Sequence, residues 1–463
     1  MNNKVYNLLL GMALLLATSA CEPDLTVPLV GEITDEEALS DPAALRKTVN
    51  SVYQLLGNDR TYGGRFQIAN DLLGDDINGS TLTGDYGSIY TRTTTIFGDV
   101  KNQLYSEPYI AIYRANAVLE NLDIVENQQD RAVLEGEAKY LRAIAHFAVA
   151  RLFAQPYVFG EENSQLGIPI RTSTESSAAV RATVGEVYEQ ITSDLEDAAE
   201  LLPPANGPFA TEWAAKGFLA KVYFQMNDFE NAYAYANDVI ENSPFTFNPS
   251  SDEFDLRFSD DEESPEIVMA IYTDDRNTAI GAEFRNQYRS DINISNLRVS
   301  PGLFNLANTN AADARNAWYD NETYPGNIVL TKYNTDFFNV PLVHITELKL
   351  IRAEAAAELN QNLNVAIADV NDIITRAYGE NSNRLLADNA AAAVIKQRVR
   401  EERRLELVGE GDRGQELKRR GALGENIVVR GAPYSCPGAI LQFPQGEIAN
   451  SPGFVKNVES GCN

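Results

Sequence analysis

The chain has 463 residues, a formal charge of −28 at pH 7, two histidines and three cysteines. A hydrophobic fraction of 44% is enough for a packed core, and the acidic balance disfavours nucleic acid because a negative surface repels phosphates. Three cysteines cannot build a thiolate zinc cluster, and two histidines leave little for a histidine-centred metal site or triad, so neither metal nor cofactor is expected.

The chain opens with Lys4 ahead of an apolar run from Leu8 to Ala17, too short to span a bilayer but suited to a secretory signal. Small residues, Thr18-Ser19-Ala20, precede Cys21. The arrangement resembles a bacterial lipoprotein signal, with residues 1–20 removed and Cys21 lipidated. Acidic residues just after the cysteine resemble the surface-export mark of Bacteroidetes lipoproteins. Residues 21–40 are polar, carry two prolines and read as a tether, leaving 41–463 as one folded unit. With Cys21 acylated, Cys436 and Cys462 remain as a pair in an oxidising compartment and are candidates for a disulfide.

Asp41-Pro42 ahead of Leu45, Val49, Val52 and Leu56 gives an N-cap, a proline in the first turn and an apolar stripe, a helix over about 41–57. Helical patterning returns at 107–125 and 130–154, then at 183–202, 211–226, 228–242, 344–360, 363–378 and 390–408. Between these lie 58–104, rich in Gly, Thr, Asp and Tyr, and 244–340, rich in Asn, Asp, Ser and aromatics. Both read as loop-rich inserts, with Ile267–Tyr272 the best strand candidate. Leu219, Ala220, Tyr223, Ala232 and Pro244 fall at the offsets of a tetratricopeptide helix pair turning at Asn227-Asp228. Residues 347–378 give a looser second unit. The fold class is therefore mostly α, a superhelical array of tetratricopeptide-like pairs against an irregular region with a little β.

More specific signals lie toward the C-terminus. Glu347-Leu348-Lys349-Leu350-Ile351-Arg352-Ala353-Glu354-Ala355 leads to Ala368-Asp369-Val370-Asn371-Asp372 and then to Glu401-Glu402-Arg403-Arg404-Leu405-Glu406. That block runs on through Leu407-Val408-Gly409-Glu410-Gly411-Asp412-Arg413, and Phe443-Pro444-Gln445-Gly446-Glu447 follows near the end. With Tyr109-x-x-Ile112-x-x-Ala115-Asn116 and the lipoprotein start, this ordered set resembles the SusD/RagB family of outer-membrane nutrient-binding lipoproteins. The resemblance implies four tetratricopeptide-like pairs and no chemistry. It also implies an outer-membrane location at the cell surface, an oligosaccharide or peptide ligand, and a SusC-like TonB-dependent transporter as partner.

Glu406 and Glu410 share a helix face, and paired carboxylates can hydrolyse glycosides. Arg403, Arg404 and Arg413 in the same stretch would hold such acids ionised, so a structural ion-pair network is the preferred reading. Trp213, Tyr223, Tyr233 and Tyr235 belong to repeat helices and read as packing or surface residues. The loop aromatics differ, because sugar rings stack on Tyr and Trp while their hydroxyls bond to polar neighbours. The candidate ligand-binding residues are Tyr62, Arg65, Asp75, Asn78, Tyr86 and Tyr90 in the first insert. Tyr288, Trp318, Tyr319 and Tyr324 are those of the second, with Trp318 foremost. Asp76-x-Asn78-Gly79 is only a faint calcium-loop echo. A glycan-binding lipoprotein, a peptide-binding member of the same family and a surface hydrolase on a helical scaffold remain the three readings.

Overall fold

A computed structural model describes residues 35–259, 262–272, 280–309, 311–459 and 461–462. The signal segment, Cys21 and the tether to residue 34 lie outside the described residues. The helix Pro42–Gly57 starts as its sequence requires, with the Asp41 side chain accepting from the Ala44 amide. It packs on Asp99–Glu120, which packs on Gln128–Phe153 and begins the array. Each later helix then covers its predecessor: Val184–Leu201, Glu212–Gln225, Phe229–Asn242, Ile345–Leu359, Leu363–Tyr378 and Ala392–Glu406. The array is mostly α and matches the expected class.

Caps and small residues explain why these segments are helices that can approach closely. Thr183 and Glu186 form a reciprocal capping box, and Asn127 accepts from the amides of Gln129 and Asp130. Ala220 and Ala232, the small residues of the recognised pair, are fully buried, and Leu219 fills the space beside them. Tyr223 and Tyr235 lie stacked at 5.7 Å on the half-exposed side of that pair, as packing residues. Trp213 is buried under Lys216, whose ammonium lies 4.5 Å from the ring centre. No helix among the described residues is long and apolar enough to cross a membrane.

Between Phe229–Asn242 and Ile345–Leu359 the chain leaves the array and returns, yet those two helices pack directly on each other. The strand Ile267–Ile271 pairs antiparallel with Val340–His344, Ile267 opposite His344. The entry and exit of the insert are thereby tied beside the array. The sequence pattern missed Arg65–Leu73, Gly84–Tyr90, Ala282–Tyr288 and Arg413–Ala422, each too short or too polar to show a sustained stripe. It also started the Asp99–Glu120 helix late, because Pro108 lies inside it. Cys436 and Cys462 are joined in a disulfide with Cα atoms 5.3 Å apart, which pins the C-terminal segment.

Candidate functional site

The two inserts meet along a seam. Ile77 pairs with Val299 and Asn78 with Arg298 in a short antiparallel ladder. The Ser300 amide donates to the Asp76 carbonyl at 2.7 Å, and the Gly281 amide to that of Gly63 at 3.1 Å. Side chains cross as well: the Tyr86 hydroxyl donates to Glu283 and the Tyr288 hydroxyl to Asp71, both at 2.7 Å.

The array holds this seam from below through the Glu-Arg-Arg block. Arg404 pairs with Asp76, and Arg413 with Asp75 at 2.7 Å. The Gly411 amide donates to Asp71 at 3.1 Å. Gly411 has φ +76 and lies so close to the Gln67 backbone that a Cβ would fall 2.5 Å from the Gln67 Cα, so this turn needs glycine. Burial pushes the Asp71 carboxyl up to about 8, although Tyr288 and Gly411 both donate to it. Asp75 is held below its usual value because the Arg413 fork outweighs the burial that opposes ionisation.

Deeper still, Glu406 accepts from Arg376 at 3.1 Å, Arg315 at 3.1 Å and Arg257 at 3.5 Å. Glu402 accepts from Arg315 at 2.7 Å and Arg384 at 2.8 Å. Glu402, Glu406, Arg257 and Arg315 are fully buried. Burial alone would raise the Glu406 carboxyl, but the three guanidiniums hold it below its usual value. Its charge is therefore structural, as the density of arginines led us to expect. Among the described residues no group of three or more His, Cys, Asp or Glu is arranged to hold a metal ion.

The structure divides the candidate ligand residues into two sets. Trp318 is 5% exposed, its ring packed edge-on against Phe254 at 5.2 Å and capped by the Lys332 ammonium at 4.3 Å. Neither face is open, so it is a core residue and not a stacking platform. The same correction applies to three tyrosines, all buried. Tyr319 packs near Phe304, Tyr288 bonds to Asp71, and the Tyr62 hydroxyl donates to the Ile144 carbonyl at 2.8 Å. Large aromatics in a polar, loop-rich insert are where that insert finds its own core, which sequence alone cannot separate from a display surface.

The second set stays at the surface of the seam, each member half-buried. Tyr86 lies over Glu283, and burial with that carboxylate pushes its phenol up, keeping it a donor. Tyr90 has Arg430 4.4 Å from its ring centre on one side and Asn78 Oδ1 3.4 Å from its hydroxyl. Arg65 bonds to Gln103 and lies 3.7 Å from Glu283. Tyr324 donates to the Ser290 carbonyl at 2.7 Å, and Asp75 is taken up by Arg413. The structure adds residues the sequence did not mark. Glu283 also accepts from Gln287 at 2.8 Å, Arg298 donates to Thr81 at 3.2 Å, and Asn296 donates to Gln287 at 3.3 Å. The two-residue strand pairing and the contacts around it bring them here, and two residues carry no readable period.

Sequence comparison decides the family. Residues 30–224 match the family described as starch-binding associating with outer membrane, and residues 305–433 match the SusD family, more than half the chain between them. The chain belongs to the SusD/RagB family. It is 25% identical to SusD-like protein P2 of Formosa agariphila, over 54% of this chain and 47% of that protein, so it spans about half the length of that curated relative. It is 23% identical to SusD-like protein P38 of the same organism, over 87% of this chain and 88% of that one. Among solved structures, a SusD superfamily protein from Bacteroides thetaiotaomicron superposes with a TM-score of 0.78 at 22% identity, covering 90% of this chain and all of that one. A laminarin-binding SusD-like protein superposes with a TM-score of 0.68 at 19% identity, covering 90% and 99%. At these identities the superpositions establish the SusD fold.

Proposed function

We propose that this SusD-family protein binds a glycan at the seam of its two inserts and, anchored to the outer membrane at the cell surface through lipidated Cys21, passes it to a SusC-like TonB-dependent transporter. The observation that carries the reading is the convergence of the inserts. It sets the half-buried rings of Tyr86 and Tyr90 among the amides and ions of Asn78, Arg65, Arg298 and Asn296. A pyranose needs this mixture, an apolar face for its C–H side and fixed donors and acceptors for its hydroxyls. Family membership and the laminarin-binding relative support a glycan over a peptide. No general acid is assigned, so the reading is binding without turnover.

The test is titration calorimetry with laminarin and starch oligosaccharides on wild type and on a Tyr86→Ala/Tyr90→Ala variant. One stacked aromatic contributes on the order of 1–2 kcal/mol, so affinity should fall roughly ten-fold or more with both rings gone. Unchanged affinity would remove the seam as the site, and turnover of the oligosaccharide would favour the hydrolase. A Cys21→Ala variant should leave the membrane fraction, and wild type from native membranes should copurify a large β-barrel.

A further inference from the structure

A second aromatic cleft lies on the other side of the helix Asp99–Glu120. Gln103 and Glu107 on this helix face the first insert, where they meet Arg65 and Arg60. Tyr105, Tyr109 and Tyr113 point away from them. They recur every fourth residue, so they climb the helix in steps of about 6 Å. Together with Glu447 these tyrosines line two adjoining cavities of 460 and 270 Å³. Tyr105 is buried at the base, packed 4.7 Å from Tyr109, while Tyr113 is 45% and Ile110 43% exposed.

The walls are fixed from outside the cleft. The Tyr109 hydroxyl donates to the Pro169 carbonyl at 2.6 Å, fixing that ring against one wall. The lip that follows, residues 171–179, is braced at three points. Arg171 donates to the Ser177 hydroxyl at 2.6 Å, the Thr174 amide to Glu120 at 2.8 Å, and the Ala179 amide to Ser451 at 2.9 Å. The opposite wall is the Pro444–Glu447 turn, where the Gln445 amide donates to the Ile96 carbonyl at 3.0 Å. These bonds hold both walls in place, and a wall that need not be ordered on binding lowers its cost.

We infer that this cleft is a second saccharide site, taking a neutral glycan chain across Tyr113 and Tyr109; the inference rests on the glycan reading of the seam. The floor is apolar, of tyrosine rings, Ile110 and Pro444, while the lip presents Ser173, Thr174 and Ser176. That amphipathic layout matches a pyranose, one face stacking and the edge hydroxyls bonding to the lip. A chain of charge −28, with Glu175 and Glu447 outnumbering Arg171 in the cleft and Arg171 tied to Ser177, disfavours sulfated or uronic-acid chains. Two sites on one lipoprotein would hold a polymer more tightly than either alone, because the second contact is made within the same complex.

The experiment uses maltohexaose, cellohexaose, laminarihexaose and xylohexaose in calorimetry against four proteins. These are wild type, the seam variant Tyr86→Ala/Tyr90→Ala, the cleft variant Tyr113→Ala, and the combination of all three substitutions. The seam variant should retain measurable binding of one hexasaccharide, and adding Tyr113→Ala should weaken that remainder ten-fold or more. Tyr113→Phe in the seam background should keep it, because the stacking ring survives, and Ile110→Asp should remove it through a second wall. Residual binding that ignores both Tyr113→Ala and Ile110→Asp overturns the cleft while leaving the seam intact, as does a seam variant with no residual binding. Wild type that binds none of the four overturns both readings together.

Discussion

The helical array and the insert seam bury charge in different proportion. In the array, fully buried small and branched residues such as Ala220, Ala232, Val370 and Ile373 let helices approach, and buried pairs such as Arg142–Asp194 and Arg352–Asp369 cross between them. In and beneath the seam, cohesion comes from buried ions and hydrogen bonds: Glu406 among three arginines, Asp76 on Arg404, Asp71 under Tyr288. Apolar packing is forgiving of sequence change, whereas a buried ion without its partner is not. The seam therefore rests on an ionic base whose members depend on one another.

The sharpest way to break this contrast is Glu406→Ala. It removes the one carboxylate that Arg376, Arg315 and Arg257 share and leaves the buried cluster with an excess positive charge, although Glu266, Glu402 and Glu253 still pair with them. A loss of about 3–5 kcal/mol in denaturant-measured stability is expected. A loss below about 1 kcal/mol would mean that the ionic base is dispensable. Trp318→Ala tests the same region through its packing. A buried Trp costs about 3–5 kcal/mol when truncated, so stability should fall steeply while the affinity of the folded fraction stays as in wild type. A selective loss of affinity would return Trp318 to the binding surface.

The effect that is smallest per step of the variable is one of pH. The Asp71 carboxyl is held up to about 8 when folded, above its ordinary value in the unfolded chain. Between those values the folded state keeps a proton that the unfolded state has lost, so this group's stabilising effect is complete at low pH and declines as pH rises toward 8. The slope it adds is at most about 1.4 kcal/mol per pH unit, and Asp71→Asn should remove it. Parallel stability–pH curves for the two proteins between pH 5 and 8 would show that Asp71 is ionised in the folded state.

Much of the array was legible in the sequence because most of its helices carry apolar patterning over several turns, and the first has a clear start at Asp41-Pro42. The ionic role of the Glu-Arg-Arg block was legible too, since Arg403, Arg404 and Arg413 stand in the same stretch as Glu406 and Glu410. The seam was legible only as two regions rich in aromatic and polar residues. Which tyrosine faces solvent depends on partners hundreds of positions away, Glu283 for Tyr86 and Asp71 for Tyr288, and a local pattern cannot encode these. Trp318 shows the same failure most clearly. Its chemistry suits a sugar face, but the ring is buried against Phe254 and Lys332.

The pairing of Ile267–Ile271 with Val340–His344 bears on how the chain folds. Helices from Asp99 to Asn242 follow one another through connections much shorter than the second insert and can assemble from more local encounters. The Ile345–Leu359 helix must instead find Phe229–Asn242 across the whole second insert. Each doubling of a closing loop costs about 0.6 kcal/mol, so this step carries roughly 3 kcal/mol more entropy than a tight helix turn. Pairing the two strands brings residue 344 beside residue 267, so most of that closure cost is met at the strand pair and little remains for docking the helices. The N-terminal helices should therefore acquire hydrogen-exchange protection before the C-terminal ones, with the strand pair as the event that joins the two halves.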